Sequence, residues 1–118
     1  LKLIDDLGLI ANASETGAYL KSALQAALGD HPNVAEIRGE GMLAAVEFCA
    51  HRDDLKQFDT SATIGPRLAA ELLTRGVIGR AMPQSDTIGF APPLCITRAE
   101  VDQIVAAMKG AVDAVLPA

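Results

Sequence analysis

Tryptophan is absent from this chain, tyrosine occurs once and phenylalanine three times. Its core must therefore be built from Ala, Leu, Ile and Val, and the aromatic platforms on which nucleic-acid bases stack are hard to assemble. Positive charge is also in short supply. Ten basic residues against fifteen acidic ones give a net charge of -5, which disfavours a nucleic-acid or anionic-membrane partner. No apolar run approaches the ~18 residues of a membrane span, and the start lacks the basic stretch and apolar core of a secretory signal. Cysteine is scarce. Cys49 and Cys95 form no C-x-x-C, so both are expected as buried small hydrophobes in a cytoplasmic protein. Cys49-x-His51 could seed a metal site, but two further ligands of suitable spacing are missing and His31 falls in a turn, so no metal is expected. The chain also begins at Leu1 rather than at Met, which leads us to expect a piece of a longer polypeptide.

What is present points to one globular domain, since half of the 118 residues are apolar and the length suits a modest core. From Ile10 the residues Ala13, Gly17, Leu20, Leu24 and Leu28 recur at three and four, a helical stripe that Gly29-Asp30-His31-Pro32 closes. Gly8 separates Leu1 to Leu7 as a helical turn of its own. Val34 to Arg38 and Met42 to Phe48 are β-prone runs around Gly39-Glu40-Gly41, a hairpin or bent strand with glycines for the reversal. The G-x-G there lacks the third glycine and the following helix start of a phosphate loop, so the turn reading prevails. Ala50 to Ser61 reads as a surface loop. Asp59, Thr60 or Ser61 can cap a helix with the stripe Ile64, Leu68 and Leu72, which holds Pro66 in its first turn and stops at Gly76. Thr97 to Glu100 form a capping box for a last helix that buries Val101, Ile104, Val105, Met108, Val112 and Val115. The order predicts an α+β fold, a small mostly antiparallel sheet of about three to four strands with about three helices packed against it.

The stretch from Gly76 to Leu94 organises the rest. A short β-prone run, Val77-Ile78, leads to Arg80. Turn residues and a second run from Thr87 to Ala91 follow, and Pro92-Pro93 forbid further ladder pairing. A strand-end arginine presents a planar, permanently charged fork suited to a carboxylate. Taken alone, such an arginine is more often a solvated charge.

Three segments carry a resemblance to a known family. N-V-A-E-I-R-G-E-G-M-L-A-A-V-E-F (33 to 48) resembles V-R-G-x-G-L-M-x-x-[IV]-E of the class III aminotransferases. R-G-V-I-G-R and F-A-P-P-L-C-I-T-R-A-E-V-D-Q-I (75 to 104) resemble that family's C-terminal strand, Pro-Pro and helix. The similarity covers nearly the whole chain. These are pyridoxal-phosphate enzymes of fold type I that include the ω-amino acid:pyruvate transaminases. The resemblance implies that residues 1–118 are the C-terminal small domain, of the aminotransferase C-terminal type. Its partners would be the large domain of the same polypeptide, a second copy in a homodimer, and small amine and keto acid substrates. Arg80 matches the arginine that binds the substrate carboxylate and swings aside for an uncharged side chain. Arg38 matches the arginine of R-G-x-G, expected to hold the turn or pair with an acid.

No catalytic or cofactor-binding residue is assigned within the chain. Transamination needs a buried lysine for the cofactor, and none of Lys2, Lys21, Lys56 and Lys109 has an apolar strand-end setting. Pyridoxal phosphate is thus expected in the large domain, and these residues alone should be inactive. Where the ornithine and γ-aminobutyrate branches read I-R-F-A-P-P, this chain has Gly89 in Ile88-Gly89-Phe90-Ala91-Pro92-Pro93, so the resemblance implies pyruvate rather than 2-oxoglutarate as acceptor. The rival reading is a free-standing α/β binding, regulatory or dimerisation module without catalysis.

Overall fold

The computed structural model describes residues 2–83 and 85–117. Among them are four α-helices, α1 (Lys2–Asp6), α2 (Leu9–Leu28), α3 (Ile64–Thr74) and α4 (Arg98–Val115), and a 3-10 turn at Thr60–Ala62. The strands are β1 (Val34–Glu40), β2 (Leu43–Phe48), β3 (Arg80–Ala81) and β4 (Thr87–Phe90). All neighbours in the sheet run antiparallel, in the order β1-β2-β4-β3. The fold is α+β, as expected.

The helices cover one face of this sheet. Strand residues alternate between its two sides, and Ala44, Val46, Phe48, Ile88 and Phe90 point into the core with Leu20, Leu24, Leu28, Leu68, Leu72, Met108 and Val112. α2 packs on α4 and β1, and α3 on α4, β3 and β4. Of the stripes read from the sequence, Ala13, Ile104, Val105 and Val115 are only partly buried, with Ala107 and Ala111 buried instead in α4, and Ile10, in the first turn of α2, is 72% exposed. α4 starts with the expected capping box. Thr97 Oγ1 accepts from the Glu100 amide at 3.2 Å and the Glu100 carboxylate accepts from the Thr97 amide at 3.1 Å.

Several expectations need correction. The hairpin turn is the two residues Gly41-Met42, with Gly39 and Glu40 already in β1 and Glu40 paired to Leu43. Gly41 takes the left-handed φ of +56° that this reversal demands, and Met42 is buried beneath the turn rather than extended in β2. Val77 and Ile78 form no strand. They follow the closure of α3, where Gly76 (φ +82°) donates to Leu73 O and Val77 donates to Leu72 O, a Schellman closure that engages the Val77 amide. Asp59 caps the 3-10 turn rather than α3, accepting from the Ser61 amide at 2.9 Å. The long-range partner of α3 is Asp86, whose Oδ1 accepts from the Gly65 amide at 3.1 Å. Cys49 is buried as expected, but Cys95 is exposed, because it lies in the turn between Pro93 and the α4 cap, where Ile96 takes the buried position.

Candidate functional site

The helix-free face of the sheet carries the site. Its register places Arg38 opposite Ala45, Ala45 opposite Gly89, and Gly89 opposite Arg80. One row thus crosses all four strands with an arginine at each edge and almost no side chain between them. The result is a trough of about 740 Å³ lined by both arginines, Glu40, Leu43, Ala45, Ile78, Met82 and Gly89 among others. Its apolar rim is open, with Leu43 64%, Ile78 85% and Met82 37% exposed. Met82 reaches across β4. A Cβ built on Gly89 would stand 2.5 Å from the Met82 terminal methyl, so Gly89 is what lets this side chain lie flat against the strand.

The two arginines differ in what holds them. Arg38 Nη1 donates to Glu47 Oε1 at 3.0 Å and sits 3.5 Å from Glu36 Oε2. Glu47 lies diagonally across the β1–β2 hairpin from Arg38, a distance long side chains bridge readily. Arg38 therefore pairs with an acid, as expected, and Glu47 is a residue that the sequence reading passed over although it matches the last letter of V-R-G-x-G-L-M-x-x-[IV]-E. Arg80 is exposed on the short edge strand and has no ion pair or side-chain hydrogen bond among the described residues. Such a guanidinium gives up no protein partner when it takes a carboxylate in bidentate fashion.

Asp86 steadies this edge. By capping α3 from the connection between β3 and β4, its carboxylate ties the helix start to the hairpin that presents Arg80.

The four lysines stand away from the trough. Lys2, Lys21 and Lys109 project from helices, with Lys109 paired to Asp113 at 2.6 Å, and Lys56 lies in the bridged loop opposite His51. No lysine lines the trough. Among the described residues no three His, Cys, Asp or Glu side chains cluster as metal ligands, and no helix is long and apolar enough to cross a membrane.

An antiparallel sheet with helices packed on one face is a fold shared with known transaminases. The family model for class III aminotransferases matches residues 1–112, and the chain belongs to that family. It is 51% identical over 118 residues to a diaminobutyrate–2-oxoglutarate transaminase from Halomonas elongata, covering 100% of this chain and 25% of the relative. A putrescine–pyruvate aminotransferase from Pseudomonas aeruginosa is 33% identical over 100 residues, 85% of this chain and 21% of the relative. Among solved structures, an omega transaminase from Pseudomonas jessenii in complex with PMP aligns with a TM-score of 0.90 at 37% identity, over 98% of this chain and 25% of that one. The chain spans about a quarter of the length of the curated relatives it matches.

Proposed function

We propose that residues 1–118 form the C-terminal small domain of a longer pyridoxal-phosphate-dependent transaminase, to which they contribute the arginine that clamps the substrate carboxylate. The observation that carries this reading is Arg80, free of protein partners among the described residues and standing at the edge of an open trough. The cofactor, held elsewhere in the polypeptide, supplies the electron sink for amino transfer. Arg80 binds and orients the substrate through its carboxylate. For a substrate without one, the unpartnered side chain swings toward solvent and leaves the apolar rim of Ile78, Met82 and Leu43 as the contact surface. By resemblance to the family, the full-length enzyme is a cytoplasmic homodimer acting on an amine donor and a keto acid.

Pyruvate is the acceptor this reading favours. A second carboxylate must be matched when it is desolvated. Gly89 places no cation in the middle of the trough, and the arginine at its far end is already neutralised. The competing reading is 2-oxoglutarate, the acceptor in the name of the Halomonas elongata relative.

In the full-length enzyme Arg80→Ala should raise KM for pyruvate by about 30-fold, on the order of 2 kcal/mol for a charge-assisted pair, and leave the half-reaction of a carboxylate-free amine nearly intact. Equal losses for both substrate types would make Arg80 a structural residue. Steady-state kcat/KM for pyruvate and 2-oxoglutarate with one amine donor decides the acceptor, and a preference for 2-oxoglutarate rejects the pyruvate assignment.

A further inference from the structure

The two guanidinium groups of the trough share one row of the sheet, yet only one of them is free. We propose that Glu47 is a specificity-determining residue: by holding Arg38, it withholds the second cation of the trough from the second carboxylate of a dicarboxylate acceptor. This rests on the reading of the trough as the substrate site.

Three observations support it. First, Arg38 and Arg80 lie in one row with Ala45 and Gly89 between them. Three strand spacings separate their Cα atoms by about 14 Å; the row itself places only the Ala45 methyl between them, and the flexible Met82 side chain lies over Gly89. Two long side chains leaning inward from these edges can grip the ends of a short dicarboxylate. Second, the Arg38 guanidinium is engaged by Glu47 at 3.0 Å, with Glu36 at 3.5 Å as a looser and more exposed contact. The three side chains together carry one net negative charge, and Glu40 on the trough wall adds another. A second carboxylate arriving there meets repulsion rather than a free cation. Third, Glu36 and Glu47 are direct cross-strand partners. Like charges in that position destabilise a sheet, and Arg38 placed between them offsets this, so its side chain is held in place rather than free to turn into the trough.

Neutralising Glu47 should therefore release Arg38 toward substrate. In the full-length enzyme Glu47→Gln keeps the shape of the side chain and removes its charge. We expect it to raise the ratio of kcat/KM for 2-oxoglutarate to that for pyruvate about tenfold, the worth of a partly exposed charge-assisted contact. Adding Arg38→Met to that variant should return the ratio to its starting value. Arg38→Met alone should leave the ratio within about twofold of the parent, because the cation is already silenced. An unchanged ratio in Glu47→Gln, including equal losses for both acceptors, overturns the proposal. So does a rise that persists when Arg38 is removed, or a fall in the ratio for Arg38→Met alone. The ratio is measured with Arg80 intact, so it is separate from the Arg80→Ala test. A parent enzyme that already prefers 2-oxoglutarate would reject the pyruvate assignment while leaving the direction of the Glu47 effect to be read.

Discussion

Gly17 sits where α2 crosses the β1–β2 turn, and replacing it tests how tightly the helix layer fixes the hairpin that carries Arg38. A Cβ built on Gly17 would lie 1.9 Å from the Gly41 carbonyl oxygen and 2.5 Å from its carbonyl carbon. Ordinary contact begins near 3.4 Å, so helix and turn must separate by about 1.5 Å, and both obstacles are backbone rather than a flexible side chain. Overpacking of this kind costs about 1–3 kcal/mol, and so rigid a clash belongs at or above the upper end. Alanine recovers about 0.5–1 kcal/mol of helix propensity, leaving a net loss of about 2 kcal/mol. For a domain of this size that lowers Tm by roughly 6–8 °C. Gly110 in α4 is the control. Its added Cβ would meet only the Arg75 side chain, at 2.7 Å from Nε, which can move aside, so Gly110→Ala should be neutral or stabilising. Thermal unfolding of the 118-residue chain followed by far-ultraviolet circular dichroism measures both. If Gly17→Ala proved as stable as Gly110→Ala, the close fit between α2 and the turn would be refuted.

Asp86→Ala removes the carboxylate that accepts from the Gly65 amide and should cost about 1 kcal/mol in urea unfolding, as loss of a helix cap does; no change would mean that water caps α3 equally well. Cys95 should react with a thiol reagent near pH 8 within minutes while Cys49 reacts only on unfolding, because Cys49 is buried and that burial pushes its thiol pKa up, so its reactive thiolate is scarce until the pH rises well above the ordinary value. Comparable native rates would place Cys49 at the surface. Mixed with pyridoxal phosphate and borohydride, the 118-residue chain should show only slow, scattered lysine labelling by mass spectrometry, since no lysine lines the trough; a single one-to-one adduct would contradict the absence of a cofactor lysine.

The parts of this structure legible in the sequence are those set by local periodicity or local chemistry. The stripe Ile64, Leu68, Leu72 and the Thr97-Glu100 box depend on residues within a turn or two of each other, and both stand as read. The parts that were not legible depend on residues far apart. Asp86 caps a helix that begins some twenty residues earlier, a pairing no spacing rule contains. The order β1-β2-β4-β3 inserts the last strand beside β2, which creates the row joining Arg38 to Arg80. Val77 and Ile78 have strong β propensity, but the closure of α3 takes the Val77 amide and leaves Ile78 at the trough rim. The Arg38–Glu47 pair was within reach of the sequence. With the turn at Gly41-Met42, Glu47 falls on the diagonal of Arg38 on the same face, whereas a three-residue turn at Gly39-Glu40-Gly41 would set Arg38 opposite Met42 and move Glu47 to the other side.

The open face also argues against a merely solvated surface. An antiparallel sheet with one face in water normally alternates apolar residues inward with polar residues outward. Here the outward positions of the two central strands include Leu43, Ala45 and Gly89, and the rim adds Ile78 and Met82. Exposed apolar area concentrated around a concavity is a surface that a ligand or a further part of a polypeptide covers. The charges fall at the two ends: an arginine with no ion-pair partner among the described residues on β3, and an arginine bound to acids on β1. A ligand with one carboxylate and a short apolar or uncharged remainder matches that distribution at both ends. A ligand with two carboxylates matches it only if the Arg38–Glu47 pair opens, and this is why, in the transaminase we propose, the charge of Glu47 rather than the volume of the trough is the quantity on which acceptor choice should turn.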